Sequence, residues 1–111
     1  MGRKVYVPNL PMRWDAATRK RVPSFDINAA AKFGEIVVMS EGSSNGETIN
    51  RTIQAVQRKA EEITDNDLVL LMGDVVVTAA CLALVCDNNA KVNVLRWDKK
   101  KRVYDIMEVA L

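Results

Sequence analysis

Five apolar residues in a row, Leu68-Val69-Leu70-Leu71-Met72, stop abruptly at Gly73-Asp74. An apolar run of this length without alternation suits a strand covered on both faces, the central strand of a parallel sheet. A parallel neighbour is reached only through a long crossover, most often a helix. The run therefore asks for a helix on either side of it, and the chain offers both. Upstream, Glu41-Gly42-Ser43-Ser44-Asn45-Gly46 reads as a turn. Ser44-x-x-Glu47 fits a capping box that opens a helix over about 47–63, with Ile49, Ile53, Val56, Ala60 and Ile63 on one stripe. Downstream, Asp74 is placed to cap a second helix over 75–87, ended by Asn88-Asn89.

The flanking segments extend the pattern. Lys4-Val5-Tyr6-Val7 reads as a first strand stopped by Pro8-Asn9, and Glu35-Ile36-Val37-Val38-Met39-Ser40 as a second. Lys91–Trp97 forms the strand after helix 75–87. Asp98-Lys99-Lys100-Lys101 then makes a hairpin loop, and Arg102–Val109 returns with period-two alternation. Between the first two strands, Leu10–Pro23 carries two further prolines and five charged residues, and it reads as a long exposed basic loop. Ser24 or Asp26 can cap a short helix through Ala29–Phe33, with Gly34 as its stop. The expected fold is α/β: a Rossmann-like, mostly parallel five-stranded sheet with helices packed on it and an antiparallel C-terminal hairpin strand. A length of 111 residues fits one such domain spanning 1–111.

Composition narrows the function classes. With 49% hydrophobic and 27% charged residues the chain is too apolar for disorder. No apolar run reaches the roughly 20 residues of a membrane span, and no apolar segment follows the charged first residues as in a signal peptide. Cys81 and Cys86 lie about 140° apart around a helix, so they can neither pair nor share a metal. They read as free thiols in a reducing, cytoplasmic compartment. The absence of histidine removes the commonest general base and metal ligand. No carboxylate pair has a diagnostic spacing and no nucleophile has a base beside it, so the residues point to binding or interaction rather than catalysis. No metal site and no cofactor motif is read.

Three features compete for function. The Gly42–Gly46 turn opens a helix, where free amides and the helix dipole favour an anion. Gly42 and Gly46 allow close approach, and Ser43, Ser44, Asn45 and Thr48 add short polar groups. It is neither a Walker A loop nor G-x-G-x-x-G. A well-capped helix with a flexible entry explains it without any ligand. Gly73-Asp74 ends the next strand, so both turns would share the C-terminal edge of the sheet, where open α/β sheets hold ligands. A nucleotide-like anion is the ligand class this suggests.

Helix 75–87 is the second feature, apolar all round from Val75 to Cys86 except for Thr78. Either the 10–23 loop or the C-terminal strand covers its surplus face, or that face makes a homo-oligomer interface. The third is charge. Residues 1–33 hold seven Lys/Arg against two Asp/Glu, residues 34–90 three against nine, and residues 91–111 six against three. Arg19-Lys20-Arg21 and Lys99-Lys100-Lys101-Arg102 stand near Trp14 and Trp97, a combination suited to phosphates and bases or to a solvated rim. These cations lie in loops rather than on a recognition helix, which argues against sequence-specific DNA binding.

The stretches Lys4–Asn9, Lys32–Val38 through Glu41-Gly42, Asp67–Leu71 and Val92–Leu95 resemble a family of short uncharacterised bacteriophage proteins. The resemblance implies a phage accessory protein working in a bacterial cytoplasm; the alternative to ligand binding, a module engaging a host protein, comes from the basic loop and the oligomer surface and not from the resemblance. The family carries no known activity, so it assigns no residue a role.

Overall fold

The computed structural model describes residues 2–110. Its main sheet contains β1 (Lys4–Val7), β4 (Glu35–Val38), β5 (Leu68–Leu70), β6 (Lys91–Asp98) and β7 (Val103–Ala110). The strand order is β4-β1-β5-β6-β7, parallel from β4 to β6 and antiparallel at β7. The apolar run at 68–70 is central, as expected, and all three of its residues are inaccessible to solvent. Alternation sends Val69, with Tyr6, Val92 and Val94, to one core, and Leu68 and Leu70, with Val5, Val7 and Leu95, to the other.

Helices α1 (Ile49–Ala60) and α2 (Val75–Asn88) pack together and cover the first face through Val56, Ala60, Val77, Cys81 and Val85. The opposite face is covered by a short 3₁₀ helix, Asn28–Phe33, through Ala30 and Phe33. Asp26 starts this turn by accepting the Asn28 amide at 2.9 Å. Asp74 caps α2 as the sequence predicts, accepting from Val76 and Val77 at 2.8 and 3.2 Å.

Two expectations are corrected. The segment 10–23 is not a loop but a β-hairpin of β2 (Met12–Asp15) and β3 (Lys20–Pro23). Its prolines sit where they do no harm: Pro23 is the last residue of β3, and Pro11 precedes β2. Asp15 builds the turn by accepting from the Ala17 amide and the Thr18 hydroxyl. The capping box at Ser44-x-x-Glu47 does not form. Asn45 Oδ1 instead accepts the Glu47 and Thr48 amides, at 2.9 and 3.0 Å, while Ser44 pairs with the Thr52 hydroxyl at 2.8 Å. These bonds hold a turn over 45–48, and α1 starts only after it, at Ile49, with no side-chain cap bond from Thr48 to the helix.

Both cysteines are free, Cys81 in the core and Cys86 half-buried. Burial pushes the Cys81 thiol up to about 11. The folded state thus holds this proton more tightly than the unfolded chain, whose thiol titrates near 9. The contribution to stability is complete below about pH 9 and is lost as pH rises toward 11. We expect denaturant titrations to show the wild type losing about 2 kcal/mol more than Cys81→Ala between pH 8 and pH 11.

Candidate functional site

The parallel strands all end on one edge of the sheet, and their connections meet there. The β1–β4 pairing continues beyond both strands: Met39 donates to Val7 O, Leu10 to Ser40 O and Gly42 to Leu10 O, each at 2.9 Å. Asn9 lies at the centre, only 3% exposed. Its Nδ2 donates to Ser40 Oγ at 3.1 Å and to Gly42 O at 2.8 Å, and its Oδ1 accepts the Asp74 amide at 2.9 Å. One amide therefore ties together the segments that follow β1, β4 and β5. Strand order reverses between β1 and β5, and an opening at that point is where ligands commonly lie. Here Asn9 and Gly73 fill it.

The residues singled out from sequence divide between two places. Gly42, Ser43, Ser44, Asn45, Gly46 and Thr48 form the β4–α1 connection, and Gly73 and Asp74 form the β5–α2 connection. Asn9 links the two through Gly42 and Asp74. Gly42 (φ 74°) is buried, and a Cβ there would strike the Arg21 guanidinium of the hairpin. Gly73 (φ 80°) lies against Asn9, so a Cβ there would strike both the side-chain and backbone oxygens of Asn9. At these two glycines the close approach serves the protein's own contacts. Ser43, Asn45, Gly46 and Thr48 are exposed.

Open space lies one strand further along. A cleft of about 650 Å³ runs beyond the C-terminal ends of β5 and β6, lined by Phe25, Asp26, Leu71, Met72, Arg96, Trp97, Lys99 and Tyr104, with Ala29 behind. Tyr104 stands edge-on to Trp97 at 5.0 Å between ring centroids and to Phe33 at 6.5 Å, which braces the Trp97 indole. Trp97 is nevertheless 44% exposed and Phe25 57% exposed. Burial, reinforced by the Asp26 carboxylate, raises the Tyr104 phenol above its ordinary value. It therefore remains a hydroxyl that can donate a hydrogen bond. Arg96 and Lys99 supply positive charge at the wall. Flat apolar rings beside two cations can stack on a planar group and neutralise an anion.

Of these wall residues the sequence singles out only Trp97 and Lys99, as a basic cluster beside an indole; the wall as a whole comes from three distant segments and makes no motif. The available signal was Trp97 followed by Lys99–Lys101 at a strand end. Among the described residues, no group of three His, Cys, Asp or Glu side chains gathers to hold a metal ion. No described helix is long and apolar enough to cross a membrane.

Comparison with known proteins finds one family, described as phage Pam3 gp32-like protein, matching residues 3–111. No curated protein and no solved structure matches the chain.

Proposed function

The chain belongs to the phage Pam3 gp32-like protein family, and from that footing we propose that it is a phage accessory protein binding an anionic, flat-ringed small molecule, a nucleotide in chemical class, at the C-terminal edge of its sheet. The observation that carries this reading is the cleft at β5 and β6, with exposed Trp97 and Phe25 rings beside Arg96 and Lys99. Stacking on the rings and pairing of phosphate with the cations would use both. The strand order β4-β1-β5-β6 supports treating the sheet as Rossmann-like, a class that holds ligands beyond the carboxyl ends of its strands. The exposed polar groups of the β4–α1 connection, Ser43, Asn45 and Thr48, are the alternative position on the same edge, which the thermal-shift test separates from the cleft. The working compartment under this reading is the host cytoplasm.

A thermal-shift screen against nucleotides tests the proposal. A ligand present at 100 times its dissociation constant adds about 2.7 kcal/mol, several degrees in a domain of this size. Trp97→Ala should weaken binding about ten-fold, the scale of one lost stacking contact. Thr48→Ala should leave it unchanged. Equal loss with Thr48→Ala would move the site to the β4–α1 connection. No shift with any nucleotide would favour a protein-interaction module acting on a host protein.

Self-association is supported by a separate observation. Neither the hairpin nor β7 covers the outer stripe of α2, where Val75 is 79% and Val76 56% exposed and Ala79 and Ala83 continue the line. A homo-oligomer packed through this stripe would bury it. Light scattering over a concentration series should then give a mass above 12.4 kDa, falling to the monomer value in Val76→Glu. A wild-type monomer at high concentration would refute this interface.

A further inference from the structure

We infer that the cleft at β5 and β6 is one end of a groove that takes an unpaired nucleic-acid strand several nucleotides long; this rests on the nucleotide reading above and extends it. A second hollow of about 400 Å³ adjoins the first, lined by Arg13, Pro23, Ser24, Ile27 and Asn28 together with Phe25 and Asp26. Phe25 and Asp26 belong to both walls. The two hollows thus meet at the most exposed ring of the cleft, and each brings its own cation, Arg13 at one end and Arg96 with Lys99 at the other.

A single nucleotide has no use for the second hollow or for Arg13. A strand has use for both. Its bases stack on successive rings with little regard to sequence, while its backbone follows the cations. Trp97, braced by Tyr104, and Phe25 offer two such rings. Asp26 is the one carboxylate in either wall, against three cations. Beyond Lys99 the β6–β7 turn adds Lys100, Lys101 and Arg102, and its carboxylate, Asp98, accepts the Lys100 and Lys101 amides at 2.9 and 3.1 Å. Positive charge therefore continues along the chain past the Lys99 end of the cleft.

The strand must be unpaired. Rings set in a hollow reach the face of a base only when that base is free of its stack, and a duplex hides those faces. Neither helix offers a cationic face for a groove, since α2 has no Lys or Arg, Arg51 is alone near the start of α1, and Arg58 and Lys59 stand with Glu61 and Glu62 at its end. An acidic peptide would answer the cations but leave both rings without a planar partner. Trp14, although exposed, is in neither wall and serves as a control.

Fluorescence polarisation with labelled ten-nucleotide dT and U strands tests the inference, beside a ten-base-pair duplex and a mononucleotide measured by calorimetry. The strand should bind at least ten-fold tighter than the mononucleotide. Neutralising about three phosphates should weaken it roughly 20-fold between 50 and 200 mM salt. Phe25→Ala should cost about ten-fold in strand affinity. Arg13→Gln should weaken the strand several-fold and leave the mononucleotide unchanged, and Trp14→Ala should change neither. If the mononucleotide binds but the strand gains nothing, or Arg13→Gln has no effect, the groove is refuted and the nucleotide reading stands. If neither binds, both fail. Duplex binding as tight as strand binding, or equal displacement by polyglutamate, would show that charge alone is recognised and would also overturn the groove.

Discussion

Asn9→Leu should remove about 3 kcal/mol of stability, although it replaces the side chain with one of similar size. The substitution leaves the core volume nearly intact and deletes three hydrogen bonds at once. Ser40 Oγ keeps a partner because it also donates to Pro8 O at 2.6 Å. Gly42 O and the Asp74 amide lose the partners that Asn9 provides. Leaving a buried polar group unsatisfied costs about 1–3 kcal/mol, and two such groups set the expected figure. For a domain whose whole stability is about 5–15 kcal/mol, this is a fall of roughly 10–20 °C in melting temperature. Urea denaturation with an unchanged slope is the measurement; a loss under 1 kcal/mol would show that Asn9 does not tie the edge together.

Gly73→Ala should be about as damaging, for a related reason. Its φ of 80° costs a side-chain-bearing residue about 1–2 kcal/mol. The new methyl group also meets Asn9 on two oxygens, one of which is backbone and cannot swing away. The turn must shift, and the Asp74–Asn9 bond shifts with it, for a total of about 3–4 kcal/mol. Two other glycines calibrate the effect. At Gly42 a methyl group meets the flexible end of Arg21, so only the backbone term of about 1–2 kcal/mol applies. At Gly46 nothing lies within 4 Å and φ is not positive, so Gly46→Ala should be neutral or stabilising by up to about 1 kcal/mol. Equal small effects at all three positions would contradict the packing described for the edge.

The parts of the fold legible in the sequence are those that repeat a periodicity. The unbroken apolar run at 68–72 announced a central strand, and β6 and β7 lie where Lys91–Trp97 and Arg102–Val109 predict them, within one residue. Asp74 was readable as a cap because a single local geometry explains it. The β2–β3 hairpin was not readable, because two prolines and a run of charges mask a strand pair of only four residues each. The start of α1 falls two residues later than the expected 47, since Asn45 holds a separate turn before the helix and Ser44 is drawn to Thr52, a turn away. Site residues were harder still. Gly42 and Gly73 stood out as glycines at strand ends, yet their freedom admits Arg21 and Asn9, partners at least 21 positions away in sequence. The cleft walls come from residues 25–29, 71–72 and 96–104, and only the sheet order brings those segments together.

The central claim, that a nucleotide-like anion is held at the β5–β6 end of the sheet edge, is tested most directly by residue-resolved nuclear magnetic resonance. A uniformly ¹⁵N-labelled sample titrated with the four ribonucleoside 5′-monophosphates reports each amide and both indole N–H groups. Binding as described moves the Trp97 indole signal and the amides of Phe25, Met72, Tyr104 and Lys99 together, with one dissociation constant, while the Trp14 indole and the amides from Gly42 to Thr48 stay in place. Shifts confined to Gly42–Thr48, or none at millimolar nucleotide, would contradict it.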